Sequence, residues 1–337
     1  MLAEIKSIQW RDNAIVLIDQ TLLPIIEKNI EVHSLEQLRD SIVRLAVRGA
    51  PALGVAGAFG VVLALDQARA SGWSDDRLAT EIDALRDARP TAVNLAWGVN
   101  QVRPLISQGR DAVLKAAQQL AEDDRLANLA MGNNGADWLV KKLGDRPLNL
   151  LTHCNTGSLA TTGTGTALGV IKELAKRGKI QEVFADETRP LLQGSRLTAW
   201  ELSKAEIPYR IQPDGAAAMA ILGGKVDAAL IGADRIAKNG DSANKIGSLG
   251  VALACHIAKI PFLVVAPEST VDRSIKDGSQ IHIEIRGDEE ITHIAGKQMA
   301  PDGAKTFNPA FDVTPARFIT AVITELRAYE IEAGESL

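Results

Sequence analysis

The sequence predicts an α/β protein in two parts. A small N-terminal β element and mostly helical chain occupy residues 1–145, and a mostly parallel sheet covered by helices occupies residues 146–337. Two observations predict this. From Pro147 onward, short apolar runs bounded by turn residues alternate with helical patterns, as strands buried on both faces of a sheet do. Before that point, strand-like runs are confined to the segment ending at Val32. A chain of 337 residues is also long enough for two cores.

Taken in order, residues 7–19 read as a hairpin turning at Asp12-Asn13, with β-branched residues in its second arm. Residues 25–32 read as a further strand. Ser34 is the expected N-cap of a helix whose apolar stripe is Leu38, Ile42 and Leu45. The compact loop Arg48-Gly49-Ala50-Pro51 follows, with Pro51 suited to the first turn of the next helix. That helix carries Gly54, Gly57 and Gly60, each costing about 1 kcal/mol against alanine. Close approach of a ligand or of another backbone would justify them. Residues 74–86, 111–126 and 136–143 read as helices, with Pro90 and Asn94 interrupting the pattern between the first two.

In the second part, strands are expected at 148–152, 182–186, 209–212, 228–232, 262–265 and 282–285. Helices are expected at 165–177, 194–205, 215–222, 245–258 and 315–331. Ligands of such sheets bind beyond the carboxyl ends of the strands. That rule selects Cys154, the loop from Asp186 to Pro190, Asp214, and Gly232-Ala233-Asp234-Arg235.

The stretch from Leu148 to Ile171 organises the rest: an apolar strand, then Thr152-His153-Cys154-Asn155, then a Ser/Thr/Gly-rich loop and a helix. Such a loop can present backbone N–H groups to an anion or sugar. Gly163-Thr164-Gly165 begins a dinucleotide fingerprint, but Leu168 stands where its third glycine belongs, so no NAD is expected. Cys154 reads either as a small buried hydrophobe or as a thiol at a ligand site. Arg48 beside a helix N-terminus suits an anion, as do Arg89 and, at the expected start of the helix at 245, Asn244-Lys245. Asp234 reads equally as a general acid and as an ion-pair partner of Arg235.

Composition narrows the function classes. The net charge of −5 leaves no basic footprint for nucleic acid. The chain shows no apolar run taken as a membrane span, and its N-terminus lacks a signal-peptide core. Two cysteines far apart fit a reducing cytoplasm, and the five histidines show no metal-ligand spacing, so no metal is expected.

Several motifs occur together and in order: Arg48-Gly49-Ala50-Pro51, Thr152-His153-Cys154-Asn155, Asp186-Glu187-Thr188-Arg189-Pro190, Gln193-Gly194-Ser195-Arg196, Gly232-Ala233-Asp234-Arg235, Asn244-Lys245-Ile246-Gly247, and the run from Asn308 to Pro315. In these the chain closely resembles the methylthioribose-1-phosphate isomerases of methionine salvage, over nearly its whole length. Those belong to a wider group with ribose-1,5-bisphosphate isomerases and the regulatory subunits of a translation-initiation nucleotide-exchange factor.

The resemblance implies a Rossmann-like second domain, a homodimer, and a cofactor-free aldose–ketose isomerisation of 5-methylthioribose 1-phosphate. It implies that Cys154 and Asp234 are catalytic, with Asp234 the proton donor. It places Arg48, Gly49, Ala50, Arg89, Gln193, Asn244 and Lys245 on the substrate. The same sequence leaves two alternatives: an isomerase for a sugar bisphosphate, and a non-catalytic sugar-phosphate-binding regulatory subunit. The first needs a second cationic cluster that the sequence does not display; the second needs neither Cys154 nor Asp234.

Overall fold

A computed structural model describes residues 5–89 and 93–337. The chain divides into two compact units. One comprises residues 3–129 with 156–165; the other comprises residues 130–155 and 166–337.

The first unit opens with a three-stranded antiparallel sheet, β1 (Ile8–Arg11), β2 (Ala14–Ile18) and β3 (Asn29–Val32). Asp12 and Asn13 both take positive φ, as the tight turn of such a hairpin demands. Helix α1 (Leu35–Val43) starts where Ser34 accepts a hydrogen bond from the Gln37 N–H at 3.2 Å. It ends before Leu45, which has left the helix at positive φ.

Helix α2 (Ala50–Ser71) is the unit's core. It reaches the length and apolarity of a membrane span, a feature absent from the sequence expectation, but 72% of that apolar window is buried inside the protein. Its three glycines serve helix packing. A Cβ at Gly57 would lie 2.7 Å from the Leu95 carbonyl oxygen, and one at Gly60 would lie 2.4 Å from a Leu85 methyl.

Helices α3 (Asp75–Arg86) and α4 (Val93–Val102) pack on α2. Asn94 lies buried inside α4 rather than interrupting it, and Pro90 lies outside the described residues. The two helices expected at 111–126 and 136–143 are one, α5 (Arg110–Leu143). Gly132 and Gly135 lie within it and allow close packing of residues 167–176. Added Cβ atoms there would meet the Gly169 carbonyl at 3.3 Å and a Val170 methyl at 2.5 Å. The part of α5 from Ala130 onward groups with the sheet unit.

The second unit continues through β4 (Leu148–Thr152), α6 (Ala167–Lys176), β5 (Ile180–Asp186), α7 (Ala199–Lys204), β6 (Tyr209–Gln212), α8 (Ala217–Leu222), β7 (Ala228–Ile231), β8 (Arg235–Ala237), β9 (Ser242–Lys245), α9 (Ser248–Ala258), β10 (Phe262–Val265), β11 (Val271–Asp272), β12 (His293–Ile294), β13 (Lys297–Gln298), β14 (Phe311–Thr314), β15 (Ala321–Ile323) and β16 (Ala328–Tyr329). The main sheet has the order β16-β15-β10-β7-β4-β5-β6, parallel except for β16. A second sheet, β11-β8-β9-β14, carries the residues after Asp234.

Three expectations fail here. Residues 282–285 make no strand; only an isolated bridge joins Ile285 to Pro309. The stretch 315–331 is not a helix. Its apolar centre, β15, lies fully buried beside β10, the ambiguity that every short apolar run carries. Asn244 and Lys245 end strand β9 instead of opening a helix, and α9 begins at Ser248. Their alternation was masked because β9 is buried throughout.

Candidate functional site

Cys154 sits just past the carboxyl end of β4, and Asp234 just past that of the neighbouring β7. Register pairs Thr152 with Leu230, so both residues leave the sheet on the same edge. Cys154 is 5% exposed and takes a left-handed φ of 65°. Such a backbone is strained for a residue with a Cβ and needs its surroundings to hold it. Two threonines do so. The Cys154 N–H donates to Thr188 Oγ1 at 2.8 Å, and the Thr198 hydroxyl donates to the Cys154 carbonyl at 2.6 Å. Asn155 is fixed in turn by Glu201, which also pairs with the buried Lys172 at 2.7 Å.

Asp234 is half-buried. Its N–H donates to the Ala243 carbonyl at 2.9 Å, which sets it against the strand carrying Asn244 and Lys245. Arg235, its expected ion-pair partner, instead approaches Asp272 at 3.6 Å. Asn244 donates to Ser248 Oγ at 2.8 Å. Lys245 is buried, donates to the Ala310 carbonyl at 2.7 Å, and holds its ammonium 4.5 Å from the Phe311 ring centre. Gln193 is buried with its Oε1 lacking a hydrogen-bond partner among the described residues. A buried orphan acceptor is costly and marks a place where a donor belongs.

The sequence reading did not single out His153, yet it joins these pieces. Its ring is 1% exposed. Nδ1 lies 3.0 Å from Asp186 Oδ2, and Nε2 lies 2.8 Å from the Ile246 carbonyl. The carbonyl can only accept, so Nε2 carries a hydrogen, and one proton lies between Nδ1 and the Asp186 carboxyl. Burial works against the charged imidazole, but the Asp186 hydrogen bond and charge outweigh it and lift His153 above its ordinary value. Burial likewise pushes the Asp186 carboxyl up, while His153 and Gln212 oppose it.

Asp214 accepts from the Thr188 and Arg189 N–H groups. His153, Asp186 and Asp214 are close enough to form a metal-ligand set, and each of their ligand atoms also makes a hydrogen bond within the protein. Asp312 accepts from the N–H groups of Gly247 and Leu249 at the start of α9, and burial pushes its carboxyl up. The strand-end rule reached Asp186 and Asp214. A histidine next to a strand-end cysteine was the only signal for His153.

The remaining expected residues, Arg48, Gly49, Ala50 and Arg89, lie in the first unit. Arg48 is half-buried, and Arg89 is the last described residue before the 90–92 segment. Gly49 is the N-cap of α2, at a φ of 96°, and brings no capping side chain of its own. A Cβ there would meet Ala160 backbone at 2.5 Å. The Ser/Thr/Gly loop lies in this unit too, and it differs from the expected anion cradle. The N–H of Thr162 donates to Asp124 Oδ2, that of Gly163 to Thr161 Oγ1, and that of Gly165 to Asn128 Oδ1. Asp124 and Asn128, one turn apart on α5, take up the first and last of these donors.

Comparison with known proteins identifies the family. The model of the initiation factor 2 subunit family matches residues 46–330. A probable bifunctional methylthioribose-1-phosphate isomerase/methylthioribulose-1-phosphate dehydratase of Nocardia farcinica is 52% identical over 95% of this chain, which spans 58% of that relative. The methylthioribose-1-phosphate isomerase of Koribacter versatilis is 46% identical over 99% of this chain and 96% of its own. Among solved structures, 5-methylthioribose 1-phosphate isomerase from Pyrococcus horikoshii superposes with a TM-score of 0.86 at 36% identity, covering 96% of this chain and 92% of that one. The chain belongs to the initiation factor 2 subunit family.

Proposed function

We propose that the protein is an aldose–ketose isomerase that converts 5-methylthioribose 1-phosphate to 5-methylthioribulose 1-phosphate in methionine salvage. The observation that carries this reading is the pairing of Cys154 and Asp234 at one sheet edge, in a chain 46% identical throughout to a relative of that name. The substrate's anomeric carbon bears phosphate, so its ring cannot open spontaneously. Asp234 in its acid form protonates the ring oxygen, while hydrogen passes from C2 to C1. In one route the Cys154 thiolate takes the C2 proton. In the other, C2 hydrogen moves as hydride and Cys154 supports it.

Arg48 and the start of α2 suit the phosphate, as does Lys245. Arg89 adds a further cation. Gln193 orients a sugar hydroxyl, which would satisfy its orphan oxygen. Gly49 and Ala50 offer backbone to the substrate, and Asn244 is a further substrate contact in this reading.

The test is turnover of 5-methylthioribose 1-phosphate by the purified protein beside Cys154→Ala and Asp234→Asn. Loss of kcat by orders of magnitude in both folded variants supports the reading. An inactive wild type moves the protein to a different sugar phosphate or to a binding subunit. In deuterium oxide, deuterium at product C1 supports the thiolate route, and full retention of the C2 hydrogen supports hydride transfer.

We also infer a cytoplasmic homodimer. Cys154 and Cys255 are both free thiols, as a reducing compartment allows. Met219, Leu222, Leu253 and Ile257 are exposed on the neighbouring helices α8 and α9, an apolar face suited to a second copy. Sedimentation of wild type and Ile257→Asp tests the dimer; a wild-type monomer refutes it.

A further inference from the structure

We propose that His153 is a positioning residue: its buried ring sets the placement of the Cys154 thiol relative to Asn244 and Lys245. This rests on the isomerase reading. The ring lies between two functional segments and is covalently next to one of them. On one side it precedes Cys154. On the other its Nε2 donates to the carbonyl of Ile246, the residue after Lys245, at 2.8 Å.

The ring also lies against Gly247 so closely that a Cβ there would fall 2.7 Å from His153 Cε1. Gly247 takes a φ of 108°, so glycine is required at that point twice over, for space and for conformation. Asp312 fixes the far side of the same peptide by accepting from the Gly247 N–H at 2.8 Å. The segment carrying Asn244 and Lys245 is thereby held between His153 and β14.

The ring itself cannot turn. Asp186 holds Nδ1 at 3.0 Å, and Gln212 holds Asp186 Oδ1 at 2.8 Å. The link therefore runs from β6 through β5 and β4, neighbours in the main sheet, and from the end of β4 through the His153 ring to the end of β9 in the second sheet. The same strand end anchors the left-handed Cys154 from its other side, through Thr188. Cys154 is held by its neighbours' hydrogen bonds rather than by its own conformational preference, so a loosened ring displaces it. A displacement of about 1 Å in such a constellation can cost on the order of a hundredfold in rate.

This is a geometric role, and the conservative variant separates it from proton transfer. In Asp186→Asn, the amide oxygen still accepts from Gln212 and the amide N–H₂ donates to an unprotonated Nδ1, so both links survive without charge. In Asp186→Leu and His153→Phe the links are gone while volume is roughly kept.

The experiment measures kcat and KM for 5-methylthioribose 1-phosphate in these three variants, with circular dichroism to establish folding and a crystal structure of His153→Phe. The expected result is a loss of roughly a hundredfold or more in kcat/KM for His153→Phe and Asp186→Leu, most of it in kcat, against tenfold at most for Asp186→Asn. The crystal structure should show the Cys154–Lys245 separation changed by about 1 Å relative to wild type. Variants that fold and keep kcat/KM within threefold of wild type overturn the proposal, as does an Asp186→Asn loss equal to that of Asp186→Leu. A wild type with no turnover sinks the isomerase reading instead. The crystallographic separation then decides the positioning by itself, and an unchanged separation overturns it.

Discussion

Gly98 marks the tightest approach between α2 and α4, and Gly98→Ala tests whether that approach holds the first unit together. A Cβ at Gly98 would lie 1.9 Å from the Gly54 carbonyl oxygen. Reaching even a strained 3.0 Å requires the helices to part by about 1.1 Å at this point. The obstacle is backbone, so no rotamer relieves it. Overpacking a core costs about 1–3 kcal/mol, and a backbone obstacle puts this site at the upper end. Alanine's better helix propensity returns at most about 1 kcal/mol. The net loss is thus about 2 kcal/mol, or roughly 4–8 °C in Tm for a unit of this size. Gly250→Ala is the control. Gly250 sits in α9 with nothing within 4 Å of its added Cβ, so that variant should be neutral or slightly stabilised. Thermal unfolding by circular dichroism and calorimetry reads both. A Gly98→Ala transition within 1 °C of wild type refutes the reasoning, because α2 and α4 would then have room to spare.

Three further outcomes follow from the second unit. Lys172→Met removes the buried ammonium from beside the Glu201 carboxylate, which is 0% exposed, so we expect roughly 3 kcal/mol lost in urea unfolding; a loss below 1 kcal/mol contradicts the ion-pair argument. Burial opposes ionisation of Asp227, but Arg146 and the Asn149 N–H outweigh it and hold its carboxyl below the ordinary value. A depressed folded value gives stability that is present above the unfolded value, near 3.9, and lost as pH falls through the folded one. Asp227→Asn should therefore lower Tm at pH 7, and the difference from wild type should shrink as pH falls below about 3.9; a constant difference on acidification would count against the linkage. Burial, with the Asp186 charge adding, pushes the Cys255 thiol up to about 12. Mass spectrometry after iodoacetamide treatment at pH 8 should find Cys255 unmodified in the folded protein and alkylated in urea; fast native alkylation would show the thiol is not held so.

Much of this protein was legible because its signals are local. Ser34 capping α1, the Asp12-Asn13 turn and the strands ending at Thr152, Asp186 and Gln212 follow from turn chemistry and apolar runs within a few residues. The carboxyl-end rule reached Cys154 and Asp234 from those strands alone. Two errors share a cause. The Ala321–Ile323 run and the Asn244-Lys245 segment became strands because strand partners waited for them in β10 and β14, far away in sequence. Glycine was the other blind spot. At Gly54, Gly57, Gly60, Gly132 and Gly135 the sequence posed a question that only the facing helix answered.

The sequence by itself determined the α/β class, the strand-end placement of the thiol and the acid, and the family motifs. The tertiary structure decided which polar groups satisfy one another. His153 meets Asp186 and Ile246, residues 33 and 93 positions away, and Asp124 with Asn128 takes up two of the loop N–H groups that the sequence offered to an anion. Burial of a polar group is tolerable only where a partner stands within hydrogen-bonding distance, and the identity of that partner is a property of the fold rather than of the neighbouring chain.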